Sequence, residues 1–228
     1  MPGGVEIPVI DKLREDVARV PPRCDEGPPE FSQDPFGRGD GDRVEPPVSN
    51  ARLGMLMFLG AETMFFAGLI GGFLVFRLGS AIWPPLGQPY LPVGVTGINT
   101  AILLFSAYTM HRALRAIHGG SQDGLVRWLS MTALLGTIFL GVQGYEWMRL
   151  LKFGFSWSSG TYGATFYTLI GIHGAHVFGA VLWLLVALAA AMGKRFSPTR
   201  HVGVTLCGMY WYFVVGLWPI LYTLVYLI

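Results

Sequence analysis

From residue 51 to the end of the chain, five long apolar stretches alternate with short polar breaks. They run over residues 51–78, 93–116, 125–151, 163–192 and 202–228. At 1.5 Å of helix rise per residue, each is long enough to cross a hydrocarbon layer about 30 Å thick. A buried helix of a soluble protein is rarely this long and this free of charge. Backbone N–H and C=O groups in lipid must be satisfied within the segment, which selects helices over open strands. The pattern therefore predicts an all-α fold, a polytopic transmembrane bundle of five helices filling residues 51–228.

Residues 1–50 follow the opposite pattern. They hold eleven of the fourteen acids, six of the sixteen Lys and Arg, and nine of the fifteen prolines. No apolar run is long enough to build a core, so the segment reads as an extended, acidic, Pro/Gly-rich extramembrane arm. Residues 7–20 could form one short helix, lying on a partner. Plain disorder and a partner-bound arm fit this composition equally well. The arm has no apolar h-region, so the first hydrophobic stretch is expected to serve as its own insertion signal.

Composition then excludes a soluble reading. Apolar residues make up 52% of the chain and charged residues 13%, about half the usual quarter. Glycine, at 31 residues, is roughly twice its usual share of about 7%. In a membrane bundle, glycine lets helix backbones approach closely. Gly171, Ala175 and Gly179, and likewise Gly68 and Gly72, recur every four residues and are expected on helix–helix contact faces. The net charge of +2 is the sum of an arm about five units negative and a membrane domain about seven positive, so it implies no nucleic-acid partner. Cys24 and Cys207 have no disulfide or metal spacing. The chain contains no GxSxG elbow, phosphate-cradling loop or HExxH, and a hydrolase or NTPase has no support.

The basic residues give an orientation. With the arm in the cytoplasm, Arg43, Arg52, Arg112, Arg115, Arg127, Lys194, Arg195 and Arg200 share one side, against Arg77, Arg149 and Lys152 on the other. The positive-inside rule then predicts a cytoplasmic N-terminus and an external C-terminus, with Trp83 and Tyr90 in the outer interfacial belt.

Ionisable residues at membrane depth are costly and mark candidate sites. Glu62 lies ten residues past Arg52, roughly 15 Å deep. It is expected to be protonated, hydrogen-bonded to another helix, or facing a wet or headgroup-lined cleft. Helix glue and a proton-handling or lipid-contacting role weigh equally on it. His173 and His176 share a helix face, roughly 15 and 20 Å from the outer end of their helix. His173 is thus expected at the depth of Glu62, and a Glu62–histidine hydrogen bond across helices follows from depth. Haem ligation is disfavoured, because His111, His118 and His201 sit near membrane ends rather than opposite His173. Glu146 is expected to pair with Arg149 near the outer interface, with Gln143 one turn earlier on the same face.

Five segments then match a family in order. Phe58-Leu59-Gly60-Ala61-Glu62-Thr63-Met64-Phe65-Phe66 resembles Phe-Leu-x-Ser-Glu-x-Met-Phe-Phe. Asn99-Thr100-Ala101-Ile102-Leu103-Leu104-Phe105-Ser106 resembles Asn-Thr-x-x-Leu-Leu-x-Ser. Gln143-Gly144-Tyr145-Glu146-Trp147 resembles Gln-x-x-Glu-aromatic. Tyr162-Gly163-Ala164-Thr165-Phe166, followed by Gly171-Ile172-His173-Gly174-Ala175-His176-Val177, resembles Tyr-Gly-Ser-Thr-Phe then Gly-x-His-Gly-x-His-Val. Tyr210-Trp211 with Phe213 and Trp218 resembles the last-helix motif. The family is subunit III of the haem-copper cytochrome c and quinol oxidases, with related subunits beside nitric oxide reductases.

The resemblance implies a five-helix bacterial form of a non-catalytic subunit. It would carry no redox metal, with haem and copper held in partner subunits. It implies a V-shaped cleft for structural phospholipid, a catalytic subunit I as partner, an inner-membrane location, and support of proton uptake and turnover stability. Glu62 falls on the family's membrane glutamate. The chain departs from the usual Tyr-Trp-His-Phe-Val-Asp at Tyr212 and Val215, and Pro219 is expected to free a carbonyl and bend the last helix. The long arm suggests a further partner in a larger assembly. The alternatives are an accessory subunit of a nitric oxide reductase, a self-contained proton or solute carrier using Glu62 and His173, and an independent haem-binding electron carrier. The lack of inverted repeats and paired broken helices argues against a carrier.

Overall fold

A computed structural model of the chain describes residues 49–81, 83, 93–154, 156, 158–196 and 201–227. The arm up to residue 48, its expected short helix, and Tyr90 lie outside the described residues. Five helices fill the remainder: α1 (Asn50–Leu78), α2 (Val93–His118), α3 (Gln122–Lys152), α4 (Thr161–Met192) and α5 (Val202–Tyr222). All five are long and apolar enough to span a membrane, and the described residues contain no strand.

Helix starts follow local chemistry. Ser49 caps α1 by accepting from the Arg52 N–H at 3.4 Å. Ser121 caps α3 by accepting from the Gly124 N–H at 3.2 Å, so α3 begins at Gln122, before its first periodic apolar residue. Asp123 in its first turn and Arg149 and Lys152 in its last complement the helix dipole. The short α3–α4 connection ends on Gly160, whose φ of 89° suits a residue without a Cβ. Pro219 lies in the last turn of α5. The chain does not break there but widens into a π-helical turn, Thr223–Leu227.

Helices α2 to α5 form the packed body. α2 lies against α3, α3 against α4, and α4 against α5, while α5 closes back on α2. α1 leans on α4 and α5 from outside and buries only Met55, Phe66 and Phe73.

The close approaches are not where the small-residue stripes place them. A Cβ on Gly68, Gly72 or Gly179 would meet nothing within 4 Å. Tight contact occurs instead at Gly136, where a Cβ would come within 2.5 Å of Trp211, and at Gly208, 3.0 Å from Leu114 and Met110. Spacing of four identifies a helix face, whereas the bulk arriving from the next helix decides which glycine is needed.

Polar groups also join the body from inside. Asn99 donates to the Phe139 carbonyl at 3.1 Å. The Trp211 and Trp218 indoles donate to Ser106 at 3.2 Å and Thr100 at 2.8 Å, and Thr109 bonds Thr132 at 2.8 Å. With no hydrophobic drive between helices in lipid, such bonds and van der Waals packing hold a bundle together.

Candidate functional site

Glu62 lies on α1 and His176 on α4, and the two side chains meet. His176 Nε2 is 3.1 Å from Glu62 Oε2, with both side chains half-buried. The other ring nitrogen, Nδ1, is 2.8 Å from the Ile172 carbonyl. A carbonyl only accepts, so Nδ1 carries a hydrogen. Two arrangements complete the bond to Glu62. Either neutral His176 accepts from a carboxylic acid, or protonated His176 donates to a carboxylate. Both have one shared proton and no net charge, which suits a site within the membrane span.

Phe66, one turn along α1 and 1% exposed, wedges this contact. Its ring is edge-on to His176 at 5.1 Å and to His173 at 6.3 Å, and it reaches Phe213 of α5 at 6.4 Å. The Phe-Phe that follows Glu62 in sequence thus seats α1 beside its own acid.

Depth left open which of the two histidines bonds Glu62, and the structure selects His176, one turn beyond His173. His173 turns inward. It is 1% exposed, stacks on Trp218 with ring centroids 5.2 Å apart, and neither ring nitrogen has a protein hydrogen-bond partner. A three-residue step shifts a helix face by about 60°, enough to send one histidine to α1 and the other into the body. The two do not form the opposed pair that bis-histidine haem ligation requires. Among the described residues, no three His, Cys, Asp or Glu side chains gather as a metal-ligating group.

Glu146 stands apart from this pair. It is buried on α3, 3.5 Å from Arg149 on its own helix. Gln143, one turn earlier, donates to the Tyr226 hydroxyl at 3.2 Å. Near the same end of the bundle, Arg77 of α1 donates to the Leu224 carbonyl at 3.2 Å. Trp83 stands edge-on to Phe73 at 5.9 Å and to Tyr162 at 5.0 Å.

Further along α1 from Glu62, a groove of about 330 Å³ runs between α1 and α4, lined by Gly68, Gly72, Phe76, Ala164 and Thr168 among others. The small residues of α1 keep this space open rather than closing it. Sequence reasoning missed the Asn99, Thr100, Ser106 and Thr109 bonds. Their signal was present as polar positions recurring on one face of an otherwise apolar helix.

Comparison with known proteins gives the context. The family sequence model "Cytochrome c oxidase subunit III" matches residues 39–228. The chain belongs to the cytochrome c oxidase subunit III family. It is similar to cytochrome c oxidase subunit 3 of Synechocystis, with 38% identity over 77% of this chain and 74% of the relative. It is also similar to the subunit 3 of Thermostichus vulcanus, at 35% over 77% and 86%, and of Papio hamadryas, at 35% over 82% and 72%. The chain is thus a multi-pass membrane protein and a haem-copper oxidase subunit III.

Against the subunit III last-helix motif, the two departures have structural consequences. Val215, where the motif usually has aspartate, is 2% exposed in the body. Tyr212, where it usually has histidine, has a buried hydroxyl without a protein partner. This region of α5 therefore carries no ionisable pair.

Proposed function

We propose that this chain is the non-catalytic subunit III of a respiratory, proton-pumping haem-copper terminal oxidase in a bacterial inner membrane. It packs against the catalytic subunit I, which holds haem and copper with the other subunits. It binds structural phospholipid and sustains proton uptake and turnover stability. Its N-terminus is cytoplasmic, and residues 1–50 engage a further partner in a larger respiratory assembly.

The observation that carries this reading is the 3.1 Å contact between Glu62 on α1 and His176 on α4. A group that can hold its proton on either partner without gaining net charge can exchange it within a membrane at low electrostatic cost. An apolar groove between the same two helices supports the lipid role. Glu146 and His173 have other duties in this reading: Glu146 pairs with an interfacial arginine, and His173 packs the interior.

The test is turnover of the purified oxidase carrying Glu62→Ala. Initial oxygen consumption should stay near the wild-type rate, while the number of turnovers before inactivation falls. A complex that fails to assemble would make the pair a structural tether, and unchanged endurance would remove it from proton supply.

A further inference from the structure

The hairpin of α2 and α3 carries a cluster of unpaired charge at the end where α2 finishes and α3 begins. Arg112 and Arg115 of α2 and Arg127 of α3 are exposed. Among the described residues, none of the three has an ion-pair partner. Arg112 is nevertheless held in place: its guanidinium carbon lies over the Trp128 ring of α3, 5.1 Å from the centroid. A cation–π contact takes none of the five guanidinium N–H donors, so Arg112 is anchored with its hydrogen-bonding edge still open.

Depth puts these groups at the membrane surface. α2 has 26 residues, a length of about 39 Å, some 9 Å more than a hydrocarbon layer of about 30 Å. Arg112 lies six residues before the α2 end at His118, and Arg127 five residues past the α3 start at Gln122, about 9 and 7.5 Å along their helices. Their backbones are therefore near the edge of the hydrocarbon, and their long side chains reach the phosphate level. Trp128 sits where an interfacial aromatic belt belongs.

Apolar surface continues inward from both arginines. Tyr108 and Phe105 precede Arg112 by four and seven residues, on one face of α2. Both are exposed, and their rings stack with centroids 5.8 Å apart. On α3, Met131, Leu134 and Ile138 follow Arg127 at helical spacing and are exposed as well. A cationic head above an apolar stripe complements an anionic amphiphile. A soluble anion would use the head and leave the stripe bare.

We propose that this end of the α2–α3 hairpin binds an anionic phospholipid of the adjoining leaflet. Arg112 hydrogen-bonds its phosphate, an acyl chain lies along Tyr108 and Phe105, and Arg115 and Arg127 raise the local positive potential. The site is separate from the groove between α1 and α4 and does not rest on the Glu62–His176 pair.

The test is native mass spectrometry of the full-length chain in mild detergent, titrated with phosphatidylglycerol and separately with phosphatidylcholine of the same acyl chains. Phosphatidylglycerol should bind more tightly. Arg112→Gln should weaken its binding about fivefold, the contribution of one basic residue at an anionic surface, and weaken phosphatidylcholine less. Trp128→Leu keeps every charge and should weaken phosphatidylglycerol about twofold, because Arg112 loses its anchor. Lys152→Gln removes one positive charge at the opposite end of α3 and should change nothing. Equal losses from Arg112→Gln and Lys152→Gln would mean attraction by net charge alone and overturn the site, as would equal binding of the two lipids. Displacement by inorganic phosphate would make it a soluble-anion site. Loss of a neighbouring subunit from a purified complex carrying Arg112→Gln would make it a protein interface. Either result would overturn the lipid assignment.

Discussion

Helix α1 and the body formed by α2 to α5 are equally suited to a membrane and unequally attached to protein. The most apolar window of α1 has a mean hydropathy of 1.8, inside the 1.4–2.2 spanned by the other four, yet 11% of it is buried against 33–50% for the others. The body is cross-linked by buried side-chain bonds at Asn99, Thr100, Ser106 and Thr109. α1 reaches its neighbours through the Phe66 wedge, the Glu62–His176 pair and Arg77. Hydropathy measures transfer into lipid and is indifferent to whether a face meets lipid or another helix. Attachment depends on shape and on polar partners. Glu62, the acid of the inter-helix pair, thus sits on the helix least constrained by packing.

The sharpest way to break this contrast is overpacking the body. In Gly136→Val, even the first added carbon would meet Trp211 at 2.5 Å and Val181 at 3.1 Å. Trp211 is fully buried and held through its indole N–H to Ser106, so it has little room to yield. A loss of about 1–3 kcal/mol is expected, read as earlier unfolding in a detergent titration. Gly60→Val on α1, where a Cβ meets nothing within 4 Å, is the matched control. Similar losses in both would show that α1 is as tightly seated as the body.

A smaller effect separates tether from proton at the pair. Glu62→Gln can still donate from its amide to His176 Nε2, whereas Glu62→Ala cannot. A double-mutant cycle between Glu62→Ala and His176→Ala should give a coupling of about 0.6–1.7 kcal/mol, the range for hydrogen bonds between membrane helices. Glu62→Gln should keep most of it. Infrared difference spectra should place the single proton: a carboxylic acid carbonyl band lost in Glu62→Gln assigns it to Glu62, and an imidazolium band lost in His176→Ala assigns it to the histidine. Zero coupling would mean that the two side chains share a level in the membrane without holding the helices together.

The five helices were legible because membrane insertion is decided within each segment, by length and apolarity. Depth was legible too, since helix rise brought Glu62 to the level of the α4 histidines. The choice of His176 over His173 was not. It depends on the rotation of α4 about its axis, which Phe66 and Trp218 settle from two other helices. The Glu146–Arg149 pair could be read because both partners lie on one helix. The glycine stripes misled for a related reason: Gly68 and Gly72 meet a groove, while Gly136 meets an indole some 75 residues away in the chain. Motifs found the residues, and three-dimensional packing assigned their neighbours.

The gentlest test concerns that groove. Gly72 lines the space between α1 and α4, and nothing stands within 4 Å of where its Cβ would be. Gly72→Leu should therefore project into the groove without striking backbone, and stability should shift by no more than about 0.5 kcal/mol, as at an unconstrained surface position. The readout that moves should be lipid. Mass spectrometry of the gently purified complex should find less tightly retained phospholipid than in wild type, because the added side chain occupies acyl-chain volume. Unchanged lipid with unchanged stability would mean that the groove is merely the outer surface of a loosely laid helix. A stability loss near that of Gly136→Val would mean that a partner already fills the space, and that α1 is loosely attached within this chain because its packing is completed by another.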